Sequence, residues 1–260
     1  MSDLFLFRNA IRDLLRPKRL TSAVIAAVFP AFVALVLRAA APHGRFQPEG
    51  AFNSLQSLLV YGFVLVILAV IFGTGVIAQE IEQHTITYLL TRPLPRWRVA
   101  LMKLLAAVLG ITIALWLATA LLALVVFGPA GLSPAHIGRD LLVLPLGALA
   151  YGSVFLLVAT LLNRPLLWGL GYAFGLESWV ANMPGDFQRL SLATYLRVLA
   201  PHPQPEGESM ELSRLLSMFN TQNITPTFAV WVLAGVIAVA LSLALFTFST
   251  REYVPREDTD

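Results

Sequence analysis

A chain of 260 residues that is 57% hydrophobic, only 13% charged and has a mean hydropathy of +0.75 is too apolar to be a soluble domain of its size. The net charge of +3 and pI near 9.5 say less than the placement of the basic residues does, and no nucleic-acid partner is implied. The absence of cysteine excludes disulfides, thiolate nucleophiles and cysteine metal sites.

Residues 4–16 place Leu4, Phe7, Ile11, Leu14 and Leu15 at helical spacing, with Arg8, Arg12 and Arg16 on another face. An amphipathic helix of this kind is too polar to span and suits an anionic membrane surface, so residues 1–19 are expected to form an interfacial helix. Residues 21–41 are the first apolar run of spanning length. Pro30 in its middle predicts a kink, and Arg38 near its far end predicts a side chain that snorkels outward. The second span is expected over 55–78 and runs directly into Glu80 and Glu82. A polar loop over 79–98 follows, dense in both acids and bases. The run at 99–127 exceeds the minimum span, so this third helix should tilt or project. Residues 128–140 read as a turn, 141–162 as a fourth span containing Pro145, and Asn163, Arg164 and Pro165 as a tight turn into a fifth span at 166–183. The polar stretch 185–225 is too long to be structureless in a compact protein. It is expected to hold short outer helices, one on Leu190, Tyr195, Leu196 and Leu199 and another capped by Ser209. The last span is expected over 228–248, before a polar tail.

Together these elements predict an all-α integral membrane protein with six transmembrane helices, an N-terminal interfacial helix and short outer helices between spans 5 and 6, all within one domain covering 1–260. Six spans put both termini on one side. That side would hold Arg8, Arg12, Arg16, Lys18, Arg19, Arg92, Arg96, Arg98, Lys103, Arg164, Arg251 and Arg256, twelve of the eighteen basic residues, which assigns the termini and the 79–98 loop to the cytoplasm. Arginine outnumbers lysine 16 to 2, a bias that fits a GC-rich bacterial genome and hence a bacterial cytoplasmic (inner) membrane. No internal repeat of the type that builds many secondary transporters is evident.

Catalytic patterns are missing. The sequence has no G-x-x-x-x-G-K-[ST], and with Lys18 and Lys103 as its only lysines it has no phosphate-binding loop, so ATP hydrolysis is not expected on this chain. It has no H-E-x-x-H. His43, His84, His136 and His202 all read as loop residues, which leaves Ser153 and Ser178 without an intramembrane base. Glu80 and His84 could share a helix face but are too few for a metal site, and no metal is expected. Glu177 stands apart as an acid within a span, where a carboxylate is costly and usually faces a cavity or a partner. Contact with substrate, proton transfer, pairing with a group such as Arg38 and a point of helix unwinding are all open for it. Gly171 and Gly175 form a G-x-x-x-G spacing that permits close helix packing.

Within the loop, Thr85 can cap a short helix on which Ile86, Leu89 and Leu90 make one apolar patch, and Arg92 before Pro93 must be extended and ends it. A two-turn helix is unstable alone in water, so it should dock on something. These residues resemble the loop of the permease subunits of type-2, export-type ATP-binding-cassette transporters: Glu80 and Glu82 at the exit of the second span, then Thr85, Leu89 and Leu90, Pro93, Arg96 and Lys103. The resemblance extends to the N-terminal interfacial helix, the long connection between spans 5 and 6 and the acid late in span 5.

The resemblance implies that 79–98 carries a cytoplasmic coupling helix seated in a separate ATPase subunit, with Glu80, Glu82, Thr85, Ile86, Leu89, Leu90 and Arg96 as coupling residues. It further implies two such ATPases, which would bind the ATP and magnesium, and a second permease copy or related chain. No cofactor is expected on this chain itself. Tyr61, Thr74 and Glu177 would line a substrate path along the dimer interface, bordered by spans 2 and 5, and membrane lipids are a further expected partner of the chain. Without the resemblance, the same loop would also suit a non-transporting scaffold that recruits a cytoplasmic partner, and the spans a self-contained channel or proton-linked carrier.

Overall fold

The computed structural model describes residues 10–12, 17–40, 47–82, 96–177, 186–202 and 224–250. Apart from residues 10–12, which are helical, the expected interfacial helix lies outside them. So do residues 83–95 of the loop and residues 203–223, which include the helix expected after Ser209.

Prolines open most of the helices. Pro17 begins α1 (Pro17–Ala40), Pro48 begins α2, Pro134 begins α4 (Pro134–Leu161), Pro165 begins α5 and Pro226 begins α7 (Pro226–Thr250). The proline ring presets a helical φ and lacks an N–H, and the first-turn N–H has no intrahelical partner anyway. The helices therefore start earlier than the apolar runs suggest, absorbing Lys18, Arg19, Glu49 and Asp140. A helix end can leave the hydrocarbon layer and still satisfy its own backbone.

The residues read as a turn at 128–140 divide in two. Gly128–Leu132 form a 3-10 turn, with Gly128 at φ +71° where a side chain would be strained. The Ser133 carbonyl then accepts the N–H groups of His136 and Ile137 at 3.0 and 3.3 Å, so His136 and Asp140 belong to α4 and not to a loop.

α2 changes character along its length: α-helical over Pro48–Leu55, π-helical over Gln56–Val64 and α-helical again over Leu65–Glu82. α3 (Arg96–Phe127) has 32 residues and rises about 48 Å, well beyond a ~30 Å hydrocarbon core. α5 is α-helical over Pro165–Gly171 and π-helical over Tyr172–Glu177. After a 3-10 turn at Asp186–Leu190 comes α6 (Leu192–Leu199). Neither Pro30 nor Pro145 breaks its helix.

Five described helices are long and apolar enough to cross a membrane: Arg19–Ala40, Pro48–Val76, Trp97–Phe127, His136–Leu161 and Pro226–Thr250. The described part of α5 rises only about 20 Å and is not among them.

α2 and α4 pack against each other at the centre, α4 also meets α3 and α7, and α1 lies against α3. Glycine sets the central approach: a Cβ on Gly73 would lie 2.9 Å from the Phe155 Cβ, and one on Gly169 of α5 would lie 2.9 Å from the Val70 side chain. Tyr61, Leu65, Leu68, Leu104, Tyr151 and Phe155 are fully buried there. α1 and α7 instead display residues such as Ile25 and Trp231, 70% and 77% exposed, on continuous apolar faces that suit lipid.

α6 is folded back into the bundle, against α7, α4 and the π-helical part of α2. Its residues Leu192 to Leu196 are buried. It occupies the end of the bundle that carries the turn at 128–133, opposite the end where α2 runs toward the 83–95 segment.

Candidate functional site

The site is built around the junction of α5 and α6. α6 begins after Ser191, whose backbone is extended at φ −86° and ψ 129° and whose side chain makes no cap of its own. Glu177 supplies the missing acceptor. Its Oε1 receives the Ala193 N–H at 2.8 Å, the Ser191 hydroxyl at 2.6 Å and the Tyr151 hydroxyl of α4. A carboxylate at a helix N-terminus answers the unpaired N–H groups and the positive end of the helix dipole. Glu177 is 1% exposed, and its other oxygen, Oε2, is buried without a protein partner. Arg38, a partner conceivable from sequence, is engaged elsewhere: its Nη1 donates to the Val125 carbonyl of α3 at 2.7 Å.

The second charge comes from α6. Arg197 Nη2 donates to the Ser57 carbonyl at 3.3 Å across to the π-helical part of α2, and its buried Nε has no protein partner. Burial lowers the Arg197 pKa from its ordinary value, while Tyr151 and Glu177 act to raise it. Glu177 and Arg197 both line a cavity of about 200 Å³, whose apolar walls come from Phe29 of α1 and from Leu58, Leu59 and Phe63 of α2. Gly62 completes the wall; a Cβ there would lie 3.2 Å from Arg197 Nη2. Glu177 closes the π-helical part of α5 and Arg197 faces the π-helical part of α2, a rare geometry that concentrates at functional sites.

A separate buried cluster ties the same end of the bundle together. Tyr61 donates to Asp140 Oδ1 at 2.8 Å, and His202 Nε2 lies 3.2 Å from Asp140 Oδ2. The His202 ring also meets Phe52 and Tyr61, with centroids 6.2 and 5.9 Å apart. Nearby, the Gln56 amide donates to Thr119 of α3 at 3.0 Å.

The structure thus separates the three residues assigned to a substrate path. Glu177 reaches the cavity. Tyr61 is fully buried and bonded to Asp140, and Thr74 is buried toward the opposite end of α2, its hydroxyl bonded to the Val70 carbonyl at 2.6 Å. Of the coupling residues, Glu80 and Glu82 lie in the last turns of α2 and Arg96 opens α3, while Thr85, Ile86, Leu89 and Leu90 lie outside the described residues. Gly171 and Gly175 are exposed, and a Cβ added to either would meet nothing within 4 Å.

Arg197, Asp140 and His202 were not singled out from sequence. Arg197 had a usable signal, as the one charge in the otherwise apolar run Leu192–Leu199. Asp140 and His202 had none, because each sits at the border of a polar stretch and its burial depends on contacts 62 residues apart.

A family model described as ABC-2 family transporter protein matches residues 15–174. The matched interval includes α1 to α4, most of α5 and the whole 79–98 loop, and stops short of Glu177 and α6. No curated protein matches the sequence.

Proposed function

Since a family model matches residues 15–174, more than half of the 260-residue chain, the chain belongs to the ABC-2 transporter family, and we propose that it is an exporter permease driven by a separate cytoplasmic ATPase. The match, which spans the polar loop as well as the helices on both sides of it, carries this reading. In it, Ile86, Leu89 and Leu90 dock on the ATPase, and Glu80, Glu82, Thr85 and Arg96 hold the two ends of the docked segment. The ATPase subunits, two per transporter, bind the nucleotide and magnesium. A second permease, identical or related, completes the membrane part, with both termini and the loop in the cytoplasm.

The packing suggests how motion would travel. α2 and α3 are continuous helices on the two sides of the loop that run through the core, and α2 packs along α4. A displacement at Gln79 is carried ~26 Å along α2 to Gly62, in the wall of the Glu177 cavity. Nucleotide-driven closure of the ATPases would shift the loops and switch the bundle between inward-open and outward-open arrangements. Glu177 is the residue of the path that meets cargo in this scheme, with Tyr61 and Thr74 supporting α2 behind it.

The test is co-purification of the chain with its ATPase, followed by substitution of Glu80 and Leu89 by alanine. Loss of complex or of transport-linked ATP turnover supports the coupling role. Unchanged complex formation and unchanged turnover would remove it.

A further inference from the structure

The cavity at Glu177 and Arg197 holds two opposite charges that attract one another without a direct hydrogen bond between them. Glu177 Oε1 is filled by three donors and the Tyr172 hydroxyl lies close to the same carboxylate, whereas Oε2 makes no hydrogen bond of its own. Arg197 spends one N–H on the Ser57 carbonyl and keeps Nε unpaired. An anion alone would pair with the guanidinium and be repelled by the carboxylate, and a cation alone would meet the reverse. A group carrying both signs answers both residues that line the cavity while remaining neutral overall, which limits the cost of leaving water.

Size and surroundings narrow the ligand further. Sites for whole drug-sized ligands run about 300–1,000 Å³. At about 200 Å³ this cavity fits a headgroup, and the rest of the molecule must lie outside. Outside, Leu58 and Phe29 continue the apolar wall to the surface, 58% and 38% exposed, Phe29 on the α1 face that suits lipid. Gly62 keeps open the space in front of the guanidinium that a side chain would occupy.

We propose that this cavity binds the zwitterionic headgroup of a membrane amphiphile, with its ammonium on the Glu177 side, its phosphate or other anionic group on the Arg197 side, and its chains running past Leu58 and Phe29 into the bilayer. The inference rests on the bilayer placement of the bundle and not on coupling to an ATPase. It holds whether the bound amphiphile is cargo or a resident lipid.

The test uses the full chain, alone and with its ATPase, in nanodiscs of defined composition. Lipid retained after extraction is counted by native mass spectrometry. Phosphatidylethanolamine should be retained in preference to phosphatidylglycerol. Glu177→Gln should abolish that preference, and Arg197→Gln should weaken retention of both lipids roughly tenfold, the scale of one charge-assisted hydrogen bond. Gly62→Leu removes neither charge but fills the cavity and crowds the Arg197 guanidinium, 3.2 Å from a Cβ at that position; it should displace phosphatidylethanolamine. Equal retention of the two lipids by the unmodified chain, or unchanged retention in Gly62→Leu, would overturn the proposal. Soluble phosphoethanolamine competing at the same concentration as the lipid would overturn the amphiphile and identify a water-borne zwitterion instead. Because binding is read on the permease alone, failure here leaves the coupling scheme standing, and failure of coupling leaves this site standing.

Discussion

The backbone N–H of Ala193 donates to Glu177 Oε1 at 2.8 Å, so a carboxylate from the end of α5 caps the first turn of α6. The costly acid in the fifth apolar run thereby has a structural reason to exist. The same residue lines the cavity. One side chain joins the position of α6 to the chemistry of the site.

Glu177→Ala removes an acceptor shared by three donors, two of which, the Tyr151 hydroxyl and the Ala193 N–H, come from different helices. The expected loss is about 3 kcal/mol of stability, from donors left buried and unpaired. Glu177→Gln keeps a carbonyl oxygen in place and should lose about 1 kcal/mol. Thermal unfolding in detergent of both variants reads the difference. Equal, small losses would show that the capping bonds contribute little.

Tyr61 and Asp140 should act as a unit. Tyr61→Phe leaves a buried carboxylate oxygen without its donor, which costs about 1–3 kcal/mol. In a double-mutant cycle with Asp140→Ala, the second change should cost less once the first is made, with a coupling of about 0.5–3 kcal/mol. Additive losses would mean that the 2.8 Å bond is not formed in the bilayer.

Glycines on the two kinds of helix face predict opposite outcomes. A Cβ at Gly73 would sit 2.9 Å from Phe155 Cβ, so Gly73→Val should separate α2 from α4 and cost roughly 1–3 kcal/mol. Gly171→Ala meets nothing within 4 Å and should stay within about ±0.5 kcal/mol in the isolated chain. Unfolding midpoints of the two variants, compared side by side, check this. A large loss for Gly171→Ala in the isolated chain would contradict the open face.

The distribution of basic residues predicts the topology. Reporter fusions after Arg98 and within residues 207–212 should report cytoplasmic and external locations respectively. The reverse pattern, or the same side for both, would contradict the six-span arrangement.

The all-α membrane class was legible because apolar runs of spanning length have few alternatives. Helix starts were harder to place, because hydropathy marks where hydrocarbon begins, whereas the helices begin at Pro17, Pro48 and Pro134 in the more polar zone outside it. Their position at the first helical residue was a readable signal that an emphasis on apolar runs passes over. Glu177 was visible as a lone acid. Its partners were not, since Tyr151, Ser191 and Arg197 reach it or its cavity through tertiary packing alone. The π-helical turns in α2 and α5 left no mark in the composition, because their sequences are as apolar as the α-helical turns beside them.

The central claim is that residues 79–98 seat this permease on a separate ATPase, and a photo-crosslinking residue placed at position 89 in the assembled transporter tests it most directly. Illumination should yield an adduct between this chain and the ATPase subunit, lost when Ile86 and Leu90 are both changed to aspartate. Adducts with lipid or with this chain alone, and none with the ATPase, would contradict it.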